Sequence, residues 1–94
     1  MKKTAIVTGG SRGIGYGIAK QLGEDGYNIA ILDVNDPQEY RENLDALANA
    51  GVDYYYQQGS ITEKADRERF VAAVVEKYGD IDVLVNNAGV APKI

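Results

Sequence analysis

The stretch TGGSRGIG, residues 8–15, lies between two segments whose apolar residues follow different periods. Residues 4–7 before it are a short apolar run, which predicts a buried strand. After it, Ile14, Ile18 and Leu22 recur every four residues, which predicts a helix over residues 13 to about 25 with these side chains facing the sheet. A glycine-rich strand-to-helix turn lets the backbone approach a phosphate and directs helix N-terminal amides at it. The stretch therefore predicts a phosphate-binding turn.

The rest of the chain continues this alternation of strand and helix. Residues 27–32, 52–58 and 81–85 are apolar or rich in β-forming residues and predict three more strands. Their order with the intervening helices is βαβαβαβ, and the connections are long enough for parallel crossovers. We therefore predict an α/β, Rossmann-like, doubly wound parallel sheet with strand order 3-2-1-4, a partial Rossmann fold in a single domain.

Two more helices are predicted between these strands. The first has Asp36 as N-cap, Pro37 at its first helical position and Glu39 completing a capping box. Its buried stripe consists of Tyr40, Leu44 and Leu47. The second is capped by Thr62. Its apolar residues are Phe70, Val71, Val74, Val75 and Tyr78.

Composition removes several classes of function. The 94 residues contain no cysteine and no histidine, which excludes thiol nucleophiles, Cys or His zinc sites and a histidine base within them. The net charge of −4 is spread along the chain without a basic block, so no nucleic-acid or membrane partner is expected. The apolar run near the N-terminus breaks at Gly9 and Gly10, too early for a membrane span. We expect a cytoplasmic protein without a metal site.

A second marker of a nucleotide site is Asp33, at the end of the second predicted strand. A carboxylate there can accept hydrogen bonds from the adenosine ribose hydroxyls. Both Asp33 and the glycine turn fall at the carboxyl ends of parallel strands, where doubly wound sheets bind ligands. A P-loop is excluded because Tyr16 follows Gly15, where that motif requires Lys and then Ser or Thr.

The sequence resembles the short-chain dehydrogenases/reductases. TGGSRGIG fits that family's Thr-Gly-x-x-x-Gly-Ile-Gly turn, and NNAG at residues 86–89 fits its Asn-Asn-Ala-Gly motif. The resemblance covers the whole chain but only the amino-terminal part of such an enzyme. It implies an oxidoreductase that transfers hydride between a nicotinamide cofactor and a carbonyl or alcohol substrate.

The resemblance also implies a role for each matching residue. The residues around the pyrophosphate and adenosine ribose would be Gly9, Ser11, Arg12, Gly13, Ile14 and Gly15. Asp33 would bind the adenosine ribose, and Ser60 and Ile61 would lie beside the adenine. Ser60 stands where the family usually has Asp. The ribose and nicotinamide side would be lined by Asn87, Ala88 and Gly89. Asn86 would either tie adjacent strands together or contact the ligand.

The cofactor choice depends on two opposed signals. In this family an acid at the Asp33 position accompanies NAD because it repels the 2′-phosphate of NADP, whereas a base at Arg12 often accompanies NADP. A carboxylate facing a phosphate is repulsive, but an arginine beside a ribose hydroxyl is merely neutral. No Lys or Arg closely follows Asp33 to offset its charge. We therefore favour NAD over NADP.

The family's catalytic Ser and Tyr-x-x-x-Lys lie beyond its Asn-Asn-Ala-Gly motif, so no catalytic residue is assigned to this chain. Tyr16 and Lys20 match the spacing, but the predicted helix face directs them to solvent. The run of tyrosines at 54–56 is expected to alternate between strand faces and not to form a binding platform. The predicted last strand would leave an apolar edge, which suggests a portion of a larger enzyme or completion by another chain. The resemblance implies that the enzyme is a homo-oligomer. A stand-alone dinucleotide-binding module and a non-binding or designed α/β fragment remain alternatives.

Overall fold

A computed structural model of the chain describes residues 2–87, which form a parallel sheet with helices on both faces. The strands are β1 (Thr4–Thr8), β2 (Asn28–Asp33), β3 (Tyr54–Gln58) and β4 (Val83–Asn86). The α-helices are α1 (Gly13–Glu24), α2 (Arg41–Asn49) and α3 (Lys64–Tyr78), and a 3-10 turn (Pro37–Tyr40) leads into α2. The sheet order is β3-β2-β1-β4 and all pairings are parallel, so the predicted fold is confirmed.

The register of the strands brings their carboxyl ends to one edge of the sheet. Thr8 at the end of β1 is level with Leu32 on β2 and with Asn86 on β4. Asp33 is in turn level with Gln58 at the end of β3. The described residues that directly follow the four strands therefore lie at this edge, where doubly wound folds bind ligands.

Alternate residues of β1 and β2 supply two separate apolar cores. One core lies under α1 and α2 and consists of Ala5, Val7, Ala19, Ile29, Ile31, Leu44, Leu47 and Val52. The other lies under α3 and consists of Ile6, Ala30, Leu32, Phe70 and Val74. Both central strands are buried along their whole length, as expected for a sheet covered on both faces.

The face of α1 that packs on the sheet differs from the prediction. Gly15 and Ala19 are buried there, whereas Ile14 is 78% exposed. Tyr16 packs against the first core instead of facing solvent, and Leu22 also contacts that core. The predicted stripe was therefore right for Leu22 and wrong for Ile14, because it counted only large apolar residues. Small residues allow α1 to approach the strands closely, and this shifts the buried stripe by one position.

The ends of the other elements also depart from prediction in detail. The Asp36 side chain accepts from the Gln38 amide at 2.9 Å and begins the 3-10 turn instead of an α-helix. In α3 the N-cap is Glu63, because the predicted cap Thr62 forms hydrogen bonds with Ser60 instead. Val52 precedes β3, and its N–H bonds the carbonyl oxygen of Leu47.

The three tyrosines of β3 and the apolar residues of α3 differ in how far their side chains are buried in the two cores. Tyr54 and Tyr56 contact the first core and Tyr55 the second, so the predicted alternation is confirmed. On α3 only Phe70 and Val74 are buried, whereas the valines at 71 and 75 are 44% and 45% exposed. Within residues 2–87 no helix has the length and apolar character needed to span a bilayer.

Candidate cofactor site

A cavity of about 510 Å³ opens at the carboxyl edge of the sheet. The predicted site residues that line it are Gly9, Arg12, Gly13, Ile14, Asp33, Ser60, Ile61 and Asn87. The sequence did not point to its other lining residues, which are Leu32, Val34, Asn35, Gly59 and Thr62. Ser11 and Gly15 do not line the cavity, and Ala88 and Gly89 fall outside the described residues. The cavity therefore extends from the β1 turn across β2 to the loop after β3.

The glycine turn has a backbone that requires glycine at two positions. Gly9 has φ of 69° and Gly13 has φ of 58°, in the left-handed region that other residues adopt only at a cost. Arg12 is the N-cap of α1, yet no described side chain caps the helix, and the first turn carries no acid. The first amides of α1 thus form a positive helix end beside the cavity, which suits an anionic group.

Gly15 lies where the turn, the helix and the β4 loop touch. A Cβ built on it would lie 2.2 Å from the carbonyl oxygen of Gly9 and 2.7 Å from the Asn87 side-chain nitrogen. That nitrogen donates to the Gly9 carbonyl at 3.2 Å, and the Asn87 amide donates to the Thr8 hydroxyl at 2.9 Å. Gly15 therefore permits the turn, the helix and Asn87 to pack closely together. It does not itself line the cavity.

The Asp33 carboxylate is 7% exposed and accepts four hydrogen bonds. Its Oδ2 accepts from the amide of Ser11 at 3.1 Å and from the Ser11 hydroxyl at 2.7 Å. Its Oδ1 accepts from the amide of Asn35 at 3.3 Å and from the Asn35 side chain at 3.2 Å. These donors fix an acceptor-only group, with its negative charge, in the wall of the cavity.

Ser11 takes a different place from the one its motif implied. It is fully buried, its hydroxyl faces Asp33 instead of the cavity, and its carbonyl oxygen accepts from the Asn43 side chain at 3.0 Å. The reason is electrostatic, because a buried carboxylate needs hydrogen-bond donors. Of the four hydrogen bonds that Asp33 accepts, the one from the Ser11 hydroxyl is the shortest. Ser11 thus ties the glycine turn of β1 to the end of β2.

The loop after β3 forms the far end of the cavity. The Ser60 amide donates to Asp66 Oδ2 at 2.8 Å, and the Ser60 and Thr62 hydroxyls share a hydrogen bond of 2.7 Å. The Ser60 amide, followed by the Arg69 guanidinium, holds the pKa of Asp66 below its ordinary value. Arg67 donates to the Ile61 carbonyl at 2.7 Å. The start of α3 thereby fixes the loop that carries the predicted adenine contacts.

Arg12 lies on the cavity wall with its guanidinium 6.0 Å from the centre of the Tyr40 ring. The guanidinium therefore already has a cation–π partner within the protein.

For Asn86 the structure favours the role of tying adjacent strands together. Its side-chain Oδ1 lies 3.4 Å from the hydroxyl of Thr8 on the adjacent strand β1.

Tyr16 and Lys20 lie away from the cavity walls and have other partners. Tyr16 packs against the first core, and Lys20 forms an ion pair with Glu24 at 2.8 Å. The hydrogen bond and charge of Glu24 raise the pKa of Lys20. Neither residue lines the cavity.

The contacts that sequence reasoning missed centre on Asn35. Its side chain also donates to the Ser11 hydroxyl at 3.1 Å, and its main-chain carbonyl accepts from the Tyr56 hydroxyl at 2.6 Å. Burial, followed by the charge of Asp33, raises the pKa of Tyr56 to about 12, so this hydroxyl stays protonated at neutral pH. The only signal for Asn35 in the sequence was a polar residue two positions after Asp33.

A parallel sheet in this order, with a glycine turn after β1 and an acid at the end of β2, defines a dinucleotide-binding class of α/β protein. Within that class the chain belongs to the short chain dehydrogenase family, whose model matches residues 3–94.

Individual relatives agree with this assignment. The 3-oxoacyl-[acyl-carrier-protein] reductase FabG of Staphylococcus aureus is 39% identical over 90 residues, which are 96% of this chain and 37% of that protein. A solved 3-oxoacyl-[acyl-carrier protein] reductase from Brucella melitensis, in complex with NAD, is 36% identical with a TM-score of 0.83 over 95% of this chain and 34% of that one. A solved actinorhodin polyketide ketoreductase with NADPH is 40% identical with a TM-score of 0.85 over 94% of this chain and 33% of that one. The chain thus spans about a third of the length of these relatives.

Proposed function

We propose that this chain is the cofactor-binding part of an oxidoreductase that transfers hydride between a nicotinamide dinucleotide and a carbonyl or alcohol carbon. The observation that carries the proposal is the pairing, in one cavity, of a helix end without a side-chain cap and the Asp33 carboxylate. The first suits a pyrophosphate and the second suits ribose hydroxyls. The relatives named above are reductases, which supports the same class of reaction.

The residues present fit such a cofactor. The positive φ of Gly9 and Gly13 gives the turn the shape that phosphate approach needs, and Gly15 keeps α1 tight against it. From this turn the cavity passes Asp33 and reaches Ser60 beyond β3. We infer that the pyrophosphate lies on the turn, the adenosine ribose at Asp33 and the adenine near Ser60 and Ile61. Asn87, with Ala88 and Gly89, is assigned to the nicotinamide side.

We propose NAD in preference to NADP. Asp33 is held in the cavity wall by four donors, so its charge cannot easily turn away from a 2′-phosphate. Arg12 brings a positive charge to the same cavity, but its guanidinium already lies over the Tyr40 ring. When bound, the nicotinamide would supply the hydride chemistry, and this chain's residues would bind and orient it.

The acid–base residues are proposed to come from sequence outside these 94 residues. In the described part of the chain, the Tyr16 and Lys20 pair packs on the core and on Glu24 instead of on the cavity. We further propose that the whole enzyme is cytoplasmic, acts on a small carbonyl or alcohol compound and is a homo-oligomer.

Titration of the intact protein with NAD⁺ and NADP⁺ tests the cofactor assignment. We expect NAD⁺ to bind more tightly, and Asp33→Ala to weaken NAD⁺ binding and reduce discrimination against NADP⁺. A ratio of the two dissociation constants that Asp33→Ala leaves unchanged would refute the role of Asp33. Absence of binding by either dinucleotide, or of NADH oxidation with any carbonyl compound, would refute the proposed function itself.

A further inference from the structure

Tyr56 lies on β3 and does not line the cavity formed by the described residues, yet its hydroxyl contacts the loop that follows Asp33. The hydroxyl donates to the main-chain carbonyl of Asn35 at 2.6 Å, the shortest contact of that loop to another strand. The Tyr56 ring packs against the first core, which anchors the hydroxyl. Tyr56 therefore connects the outer strand to residue 35.

Asn35 in turn holds the Asp33 carboxylate by two hydrogen bonds. Its amide and its side-chain nitrogen both donate to Oδ1 of Asp33, at 3.3 and 3.2 Å. Because a carboxylate only accepts, the nitrogen of the Asn35 side chain must face it, and this fixes the side chain's orientation. The Oδ2 side of the carboxylate is held by Ser11, whose hydroxyl also accepts from the Asn35 side chain at 3.1 Å. Without Asn35 the carboxylate would keep one fixed oxygen and could rotate about it.

We propose that Tyr56 is a positioning residue for cofactor discrimination, acting through Asn35 to keep the Asp33 carboxylate where it opposes a 2′-phosphate. This inference rests on the proposed NAD preference. It differs from a general stabilising role because rotation of Asp33 weakens NAD binding and relieves the repulsion of NADP at the same time. The two dissociation constants should therefore converge.

The adjacent tyrosine provides a matched control. Tyr55 also carries one hydroxyl, which bonds the Gln57 side chain at 3.2 Å, and its ring stacks on Phe70 in the second core. Tyr56→Phe and Tyr55→Phe each remove one hydroxyl from the same strand and keep the ring. Only Tyr56→Phe removes a hydrogen bond to the loop that carries Asn35. Asn35→Ala removes the side chain that donates to Asp33 Oδ1, and so tests the second contact between Tyr56 and Asp33.

The experiment is calorimetric titration of the intact protein with NAD⁺ and NADP⁺, with urea unfolding of each variant. Tyr56→Phe should lower the ratio of the NADP⁺ to the NAD⁺ dissociation constant about fivefold, the effect of one hydrogen bond. Asn35→Ala should lower it at least as much, and Tyr55→Phe should leave it unchanged. In an Asp33→Ala background, Tyr56→Phe should have no further effect on the ratio.

Three results would overturn the inference while leaving the proposed function intact. They are an unchanged ratio in Tyr56→Phe when Asp33→Ala lowers it, an equal fall in Tyr55→Phe, and a full further fall in the Asp33→Ala background. A protein in which Asp33→Ala itself has no effect on the ratio would instead refute the proposed role of Asp33, and the inference with it.

Discussion

Replacing Gly15 by alanine should destabilise the protein, whereas the same replacement at Gly17 should stabilise it. A Cβ on Gly15 would lie 2.2 Å from the Gly9 carbonyl oxygen, against an ordinary carbon–oxygen contact of about 3.3 Å. Relief therefore requires the turn and α1 to separate by roughly 1 Å, because the Gly9 carbonyl is a backbone group and cannot turn aside as a side chain can. A Cβ on Gly17, in the same helix, meets nothing within 4 Å.

The expected magnitudes have opposite signs. Overpacking at Gly15 should cost about 1–3 kcal/mol of unfolding free energy. Gly17→Ala should gain up to about 1 kcal/mol because alanine is the better helix former. Urea unfolding measures both, and dinucleotide titration should show Gly15→Ala binding about tenfold more weakly, as expected from the loss of one or two hydrogen bonds at the turn. If both variants unfold with the wild-type free energy, the close packing described for Gly15 is wrong.

Two other predictions concern polar contacts at the edges of the cavity. Ser11→Ala should lower the unfolding free energy by about 1.5–3 kcal/mol, because it deprives the buried Asp33 carboxylate of a charge-assisted donor; a loss below about 0.5 kcal/mol would contradict this. Asp66 has a lowered pKa because the Ser60 amide and Arg69 favour its charged form, so its contribution is present above about pH 4 and is lost as pH falls through the folded-state value. Unfolding free energy measured from pH 5 to pH 2 should therefore fall less steeply in Asp66→Asn than in wild type, and equal slopes would count against the assignment.

The element order and the position of the cavity were predictable because they depend on local signals. Apolar periodicity marked each strand and helix, and the glycine turn and Asp33 followed strands whose carboxyl ends must meet at one edge. The buried face of α1 was not predictable by counting large residues, because Gly15 and Ala19 are buried for their small size. A hydropathy pattern gives glycine no weight in choosing a face.

The contacts around Asp33 were not predictable, because they join residues distant in sequence. Tyr56 reaches Asn35 only because β3 lies beside β2, and the sequence alone gives no pairing of one hydroxyl with one carbonyl. Ser11 was assigned to the ligand by its motif, although the structure turns its hydroxyl to the carboxylate. For Ser11, burial of the charged Asp33 carboxylate decided the partner.

A crystal structure of the intact protein with NAD⁺ tests the central claim most directly. The account predicts the pyrophosphate against the amides that begin α1 at Gly13 and a ribose hydroxyl within hydrogen-bond distance of the Asp33 carboxylate. Adenine should lie towards Ser60. A cofactor bound elsewhere, or one whose adenosine ribose contacts Arg12 while Asp33 keeps only Ser11 and Asn35 as partners, would contradict it.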